Sequence, residues 1–319
     1  MRFGIFGYGN LGRALETAIS ESREGEVRAI FSRRSPEEVK SGGAPVCPSD
    51  LVEEYAGEID VMLLATGSAT DVPRDAPRLA GSFHLVDSYD CHARIREHCL
   101  AVGDEARRTG HTAVLCAGWD PGLFSAFRVV AHAIAPRGCH NTFWGRGVSQ
   151  GHSEAVRRIP GVRYAKAYTL PDPTAKLAAY RGNRTLSDTE RHTRECYVVA
   201  EASEHDRIER TIRNLPHYFH GYPTIVHFIS EEEFLREHGK NPHAGSLISV
   251  FSTGKYRENR EEMTVTLTLD SNPEFTAAVM LAYARAAFTL AREGRFGAYT
   301  PLDIAPRLLL PDGEAEGYL

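Results

Sequence analysis

At 319 residues the chain is long for a single core and long enough for two domains. Apolar residues make up 42% of it and charged residues 25%, an ordinary globular balance, and the formal net charge of -5 excludes the broad basic surface that a nucleic acid or an anionic membrane requires. No apolar run is long enough for a membrane-spanning helix. The opening segment MRFGIFGYGN reads as a β-strand running into a glycine turn and lacks a signal-peptide pattern, so the expected compartment is the cytoplasm.

Taken in chain order, the first half alternates apolar runs with helical patterns, as a parallel α/β sheet does. Residues 3–6 predict a strand, 10–22 a helix with leucine, isoleucine and alanine at helical spacing, and 27–31 a second strand. Strands are expected at 61–65, 84–87 and 112–116, with a helix over 93–109. Their apolar runs are continuous, as in strands buried on both faces. Around Gly118 the pattern changes. A helix is predicted from 120 to 134, then alternating strands at 140–144, 164–170, 194–202, 224–229, 246–252 and 263–269, with helices near 172–181, 205–215 and 230–238. Ser271-Asn-Pro-Glu opens a long alanine-rich helix that stops at Gly294.

The six cysteines show no C-x-x-C spacing and the fourteen histidines no H-E-x-x-H, so free thiols and no metal site are expected. The informative motif is Gly7-Tyr-Gly9-Asn-Leu-Gly12, which follows a strand and opens a helix. Gly7 makes the tight turn, Gly9 lets the backbone approach a pyrophosphate, and Gly12 lets helix and strand pack closely. At the end of the second strand, an NAD-preferring site wants a carboxylate for the ribose hydroxyl. Phe31-Ser32-Arg33-Arg34-Ser35 offers guanidiniums and hydroxyls instead, with no acid to repel a 2′-phosphate, and this predicts NADP. The expected architecture is α/β. A Rossmann-type dinucleotide-binding domain spans 1–118 and is completed by C-terminal helices over 273–319. An α+β region with a mostly antiparallel sheet, suited to substrate binding and dimerisation, spans 119–272.

Over nearly its whole length the chain resembles the NADP-dependent meso-diaminopimelate D-dehydrogenase family. The likeness is carried by Gly7-Tyr-Gly-Asn-Leu-Gly-Arg, Phe31-Ser-Arg-Arg, Gly67-Ser-Ala-Thr-Asp, Asp87-Ser-Tyr-Asp90 and Gly118-Trp-Asp-Pro-Gly. It continues in Thr142-Phe-Trp-Gly, Ser149-Gln-Gly-His-Ser, Arg158-Ile-Pro-Gly-Val, Tyr168-Thr-Leu-Pro and Leu269-Asp-Ser-Asn-Pro-Glu-Phe-Thr-Ala. The resemblance implies reversible oxidative deamination of the D-centre of meso-2,6-diaminopimelate, giving L-2-amino-6-oxopimelate, ammonia and NADPH for lysine biosynthesis. A homodimer is implied as well.

Oxidising an amine by hydride transfer needs its nitrogen unprotonated and the resulting iminium open to water, so the site needs carboxylates that hold the ammonium and relay protons. Asp90 and Asp120 each lie just beyond a predicted nucleotide-domain strand, where such sheets place ligands. The resemblance makes both substrate contacts and catalytic candidates, against the structural alternative that each caps a helix. It further implies substrate contacts at Thr169, Arg194, His243 and Asn272. Arg194 is suited to bidentate carboxylate binding, and His243 is expected in a loop. Trp144 is expected to wall the pocket, with Gln150 and Gly151 on a loop offering hydrogen bonds, and His152 limiting side-chain size nearby.

Cofactor contacts are expected from Gly7, Tyr8, Gly9, Asn10, Leu11 and Gly12, from Ser32, Arg33 and Arg34, and from Gly67, Ser68, Ala69 and Thr70. Ser88, Tyr89, Trp119, Pro121 and Gly122 are expected to complete them toward the nicotinamide. The rival readings are another Rossmann-fold amino-acid reductase and a catalytically inert NADP sensor.

Overall fold

A computed structural model describes every residue except Ala69, Asn183, His217, Asp312, Gly313, Glu314 and Leu319. The chain forms two compact units, Met1–Ala126 with Pro273–Leu319, and Phe127–Asn272, so the first runs past the boundary expected at 118. β1 (Arg2–Phe6) leads through a tight turn into α1 (Asn10–Ser22), followed by β2 (Glu26–Ser32), β3 (Val46–Pro48) and β4 (Val61–Leu64). Next come α2 (Asp71–Leu79), β5 (Leu85–Val86), α3 (Ile95–Thr109), β6 (Thr112–Val114) and α4 (Leu123–Ile134). The second unit continues with β7 (Cys139–Trp144), β8 (Gly147–Val148), α5 (Gln150–Arg157), β9 (Tyr164–Pro171), α6 (Pro173–Arg181) and α7 (Asp188–Arg191). It ends with β10 (His192–Val199), α8 (His205–Arg213), β11 (Thr224–Phe228), α9 (Glu231–Glu237), β12 (His243–Thr253) and β13 (Asn259–Leu269). α10 (Asn272–Arg292) and β14 (Gly297–Tyr299) return the chain to the first unit.

In the first unit seven parallel strands run in the order β14-β6-β5-β4-β1-β2-β3. The direction of winding reverses between β1 and β4, and a doubly wound sheet binds its ligand at the carboxyl ends of the strands flanking such a reversal. Side chains alternate between two cores, as a period of two requires. Ile5, Val61 and Leu63 face one, which α1 fills with Leu15 and Ile19, and α10 with Ala277, Met280, Leu281, Ala284 and Ala287. The alanines of α10 pack into this core, which fits the helix's small-residue faces. Phe31, Met62 and Leu64 face the other core, covered by Val72, Ala76 and Leu79 of α2 and by Val102 and Ala106 of α3.

In the second unit the expected single sheet is two. One has the order β11-β10-β9-β8 and includes a parallel pair, β10 with β11; the other, β13-β12-β7, is wholly antiparallel. Val156 and Ile159, in and just beyond α5, together with Ile208 and Ile212 of α8, pack on the first sheet against Ala165, Ala167, Cys196 and Val198. Ala175 and Ala179 of α6 pack on the second against Phe143, Ile248 and Val250.

Three elements depart from the sequence expectation. α2 carries Pro73 in its first turn, where the missing N–H is not needed, and Pro77 inside, and prolines argue against a helix when read locally. Gln150 and Gly151, expected in a loop, open α5. The C-terminal stretch expected to be helical adds β14 to the edge of the sheet, where Gly297 to Tyr299 pair with Thr112 to Val114.

Candidate functional site

The turn after β1 is built as the glycine spacing demands. Gly7 adopts φ +101°, and its N–H donates 2.9 Å to the Phe31 carbonyl, tying the turn to β2. A Cβ on Gly12 would stand 2.3 Å from the Gly7 carbonyl oxygen, so helix and turn approach as closely as glycine allows. A Cβ on Gly9, in contrast, would meet nothing within 4 Å, leaving the room a pyrophosphate needs. No side chain caps α1 at Gly9, so the first-turn amides of Asn10, Leu11 and Gly12 can serve an anion with the helix dipole behind them. The Tyr8 side chain points inward. Its hydroxyl donates to buried Glu16, which also accepts from the amides of Gly42 and Ala44 at 2.9 and 3.1 Å. Burial, then the Glu16 partner, push the Tyr8 phenol up to about 12.

The 2′-phosphate turn differs from the expectation in one respect. Although no acid lies within 31–35, Asp71 at the start of α2 receives the Arg33 guanidinium at 2.8 and 3.3 Å. The acid comes from the first residue of the helix that follows β4, which the fold brings beside the end of β2 and which local sequence does not reveal. Arg34 donates 2.6 Å to the Tyr8 carbonyl, and its amide donates 3.1 Å to the Ser32 hydroxyl. Ser32 is buried, Arg33 and Arg34 are exposed, and the set retains the cationic, donor-rich character a phosphate needs.

Beyond β4, the Gly67 carbonyl accepts the amides of Asp71 and Val72 and so starts α2. Ser68 reaches the other candidate region: its hydroxyl donates 2.5 Å to Asp90 Oδ1 and accepts from the Asp90 amide at 3.1 Å. Thr70 is exposed, and Ala69 lies outside the described residues. Asp90 is exposed and caps no helix; the short turn after it begins from Cys91, and α3 from Arg94. Ser88 is half-buried, and Tyr89 is buried with its ring 4.4 Å from that of His98. Asp120 is half-buried in a turn closed by Gly118 N–H to the Pro121 carbonyl at 3.2 Å and Leu123 N–H to the Gly118 carbonyl at 3.1 Å. Pro121 and Gly122 are buried in that turn, and Trp119 packs edge-on against Phe124 at 5.4 Å.

The second unit gathers a polar cluster at the ends of its strands. Sheet register sets Arg194 of β10 opposite Thr169 of β9, and Thr169 in turn opposite Gly147 of β8. Both side chains are buried, and the guanidinium donates to the Thr169 hydroxyl. It also lies over the Tyr222 ring at 4.2 Å. Its Nε has no partner, and among the described residues no carboxylate forms an ion pair with it. Burial pulls the Arg194 pKa below its usual value, outweighing the Tyr222 side chain and the Asp188 charge, which act to raise it.

His152 lies close enough for the Arg194 charge to act on it. Burial first and that charge second lower its pKa to about 3, and its Nδ1 stands 2.5 Å from the Ser149 hydroxyl. Its buried Nε2 has no partner, and Tyr218 and Phe219 meet the ring edge-on.

Trp144, at the end of β7, is half-buried and therefore no core tryptophan. Its indole stacks on His192 at 5.0 Å and 25°, its amide donates 2.8 Å to His192 Nε2, and the Arg191 guanidinium lies 5.9 Å from its ring. His192 Nδ1 faces the Asp188 carbonyl at 3.0 Å, so the ring is held neutral with its proton on Nδ1. Burial lowers its pKa to about 4.

His243 corrects a sequence expectation: it is buried and opens β12, with Nδ1 accepting the Ala244 amide at 2.8 Å. Asn-Pro before it looks like a turn, yet the strand starts directly after the proline. Asn272 opens α10 and donates its amide to the Asn241 carbonyl at 3.0 Å. Gln150 is exposed and Gly151 half-buried on the first turn of α5. Sequence reasoning missed His192 and Tyr222. His192 carries a usable signal, because it precedes Arg194 by two on one strand and so shares its face. Tyr222 lies on a connection and carries none.

Residues 118–271 match the family model described as the diaminopimelic acid dehydrogenase C-terminal domain. The meso-diaminopimelate D-dehydrogenase of Acetivibrio thermocellus is 45% identical over 320 residues, covering 99% of this chain and 96% of its own. Among solved structures, the Corynebacterium glutamicum DAP dehydrogenase in complex with DAP superposes with a TM-score of 0.93 at 43% identity, covering 98% of this chain and 96% of that one. An engineered D-amino acid dehydrogenase bound to NADP+ gives 0.91 at 41% identity, with the same coverage of 98% and 96%.

Proposed function

Because this chain belongs to the meso-diaminopimelate D-dehydrogenase family, we propose that Asp90 and Asp120 manage the protons of its reaction while Arg194 and its neighbours read the substrate's distal end. The protein is an NADP-dependent amino-acid dehydrogenase. It converts the D-centre of meso-2,6-diaminopimelate, with water, to L-2-amino-6-oxopimelate and ammonia. NADP+, when bound, accepts the hydride from the substrate carbon.

The chain's own residues do the rest. Asp90 and Asp120 hold the reacting ammonium and take its proton, so that the nitrogen lone pair can assist as hydride leaves. They then orient the water that attacks the iminium. Thr169, Arg194, His243 and Asn272 bind the carboxylate and ammonium that do not react, with Trp144 as a wall and Gln150 and Gly151 beside it. The first-turn amides of Asn10, Leu11 and Gly12 would hold the pyrophosphate, with Gly7, Tyr8 and Gly9 shaping the turn before them, and Ser32, Arg33 and Arg34 would hold the 2′-phosphate. Gly67, Ser68, Thr70, Ser88, Tyr89, Trp119, Pro121 and Gly122 line the way to the nicotinamide, and Ala69 is assigned with them by resemblance alone. Likeness to the family also supports a cytoplasmic homodimer.

One observation carries this reading: a buried guanidinium whose Nε has no partner. Burying a charge with no carboxylate bonded to it costs several kcal/mol, and a substrate carboxylate arriving at that group offsets the cost. A dicarboxylate supplies one. An inert NADP sensor would have no use for such a group.

The test is NADPH production from meso-diaminopimelate set against the LL isomer, which has no D-centre. Product from the meso form alone is the expected result, and its absence rejects the assignment. A second measurement concerns the cofactor. Changing both Arg33 and Arg34 to alanine lowers kcat/KM for NADP by roughly 10- to 100-fold, each charged hydrogen bond being worth about 1.5–3 kcal/mol in part offset by water. NAD turnover stays the same. An equal fall with both cofactors would remove the two arginines from 2′-phosphate recognition.

A further inference from the structure

A third carboxylate, Asp87, which the mechanism above leaves unused, bonds the loops that carry both candidate carboxylates. It follows β5, its side chain is 0% exposed, and one of its carboxylate oxygens bonds both the loop leading to Asp90 and the loop leading to Asp120. Oδ1 accepts the amide of Tyr89 at 3.0 Å, one residue before Asp90. The same oxygen accepts the amide of Cys116 at 2.9 Å, four residues before Asp120. The Asp87 carbonyl accepts the Ala117 amide at 2.7 Å. Oδ2 accepts from His98 Nε2 at 2.7 Å, and His98, buried on α3, lies with its ring 4.4 Å from that of Tyr89.

Cys116 sits at φ +59°, a left-handed conformation that a residue with a Cβ adopts only when its surroundings hold it. The Asp87 carboxylate supplies that hold. The chain leaving β6 must turn here to reach Gly118 and the Asp120 turn, and there the Asp87 carbonyl holds the Ala117 amide while its buried Oδ1 holds the Cys116 amide. That oxygen also fixes the loop bearing Asp90. His98 completes the arrangement. Burial pulls its pKa down, but the hydrogen bond and charge of Asp87 outweigh burial and the net shift is upward, keeping His98 a donor.

We propose that Asp87, buttressed by His98, is a positioning residue that sets the placement of both Asp90 and Asp120. The inference rests on the reading that those two aspartates act on the substrate. A single carboxylate oxygen that bonds both loops couples them, so disturbing it displaces both proton-handling groups together. Displacements on the order of 1 Å lower turnover by up to about 10²-fold.

The experiment compares Asp87→Asn, His98→Phe and His98→Gln with Asp90→Asn and Asp120→Asn, in the full-length protein. Asp87→Asn keeps Oδ1 as an acceptor but sets an amide donor against the His98 donor at the place of Oδ2, so the carboxamide is driven off the position from which it bonds both loops. His98→Phe keeps a ring beside Tyr89 but removes the donor, and His98→Gln carries an amide donor to the position of Nε2. The expected result is a roughly 10- to 100-fold fall in kcat for Asp87→Asn and a fall of about tenfold for His98→Phe. KM for NADP stays within about twofold, and His98→Gln recovers most of the loss. A dyad that serves stability alone would lower Tm in all three variants and leave kcat at the wild-type value. That outcome, with Asp90→Asn and Asp120→Asn still impaired, overturns the positioning role by itself. Wild-type kcat in Asp90→Asn and Asp120→Asn overturns the reading beneath it, and the proposal with it. If Asp87→Asn does not fold, the contrast between His98→Phe and His98→Gln decides the matter: equal kcat in the two overturns it.

Discussion

Asp90→Asn and Asp120→Asn each lower kcat for meso-diaminopimelate by roughly 10²- to 10⁴-fold, the range over which a positioned acid or base contributes. The substitution is close to isosteric, and for Asp90 the surroundings tolerate it. Ser68 donates to Asp90 Oδ1 and accepts from the Asp90 amide, and an asparagine with its carbonyl at Oδ1 keeps both bonds. What is lost is the negative charge and the capacity to take a proton.

Two consequences separate this from a general disturbance. KM for NADP stays near its wild-type value, because neither carboxylate belongs to the glycine turn or the arginine pair. Raising the pH restores part of the rate, because a larger share of the substrate then enters as free amine and the missing proton acceptor is less needed. Steady-state rates across pH, with each variant at saturating NADP, measure both. Wild-type turnover in both variants would strip the pair of its role, and a uniform loss without recovery at high pH would leave them as binding groups only.

The glycine turn was legible because its information is local: strand, turn and helix follow one another within residues 2–22, and periodicity alone marks the helix as Asn10–Ser22. α2 was hidden by Pro73 and Pro77, which read as breakers although the first occupies a position where helices accept proline. The pairing of Arg33 with Asp71 could not be read, because the partners are 38 positions apart and meet only when β4 lies near β2 in the sheet order.

The same holds in the second unit. The strands bearing Thr169 and Arg194 are visible as alternating runs, but their register is not, and a slip of one residue would turn Arg194 to the opposite face. His243 was placed in a loop on the strength of its Asn-Pro neighbours, while β12 begins at that histidine. Residue identities along the chain therefore name the chemistry, and sheet order and register bring its members together. Asp87 stands at the far end of this scale. It is a motif residue with no evident task until its three acceptor contacts are known.

Arg194→Met lowers kcat/KM for meso-diaminopimelate by roughly 30- to 5,000-fold, equivalent to the 2–5 kcal/mol lost when one partner of a buried charged pair is removed. The effect falls on recognition of the distal carboxylate, so most of it appears in KM when that end contributes equally to ground and transition states. A D-amino acid that lacks the distal carboxylate gives the control. Its kcat/KM changes little in the variant, because the interaction removed is one it never made.

Stability moves the other way. In the free protein the guanidinium is buried with an unpartnered Nε and, among the described residues, no carboxylate bonded to it, so replacing it with an apolar side chain of similar length removes a desolvation penalty. Tm is therefore expected to hold or rise, the Thr169 hydroxyl losing one donor in exchange. Kinetics with the two substrates and thermal unfolding of the unliganded protein, taken together, distinguish a recognition residue from a scaffold residue. An equal fall in kcat/KM for both substrates, or a drop in Tm, would mean that Arg194 supports the β9–β10 pair and does not read the substrate.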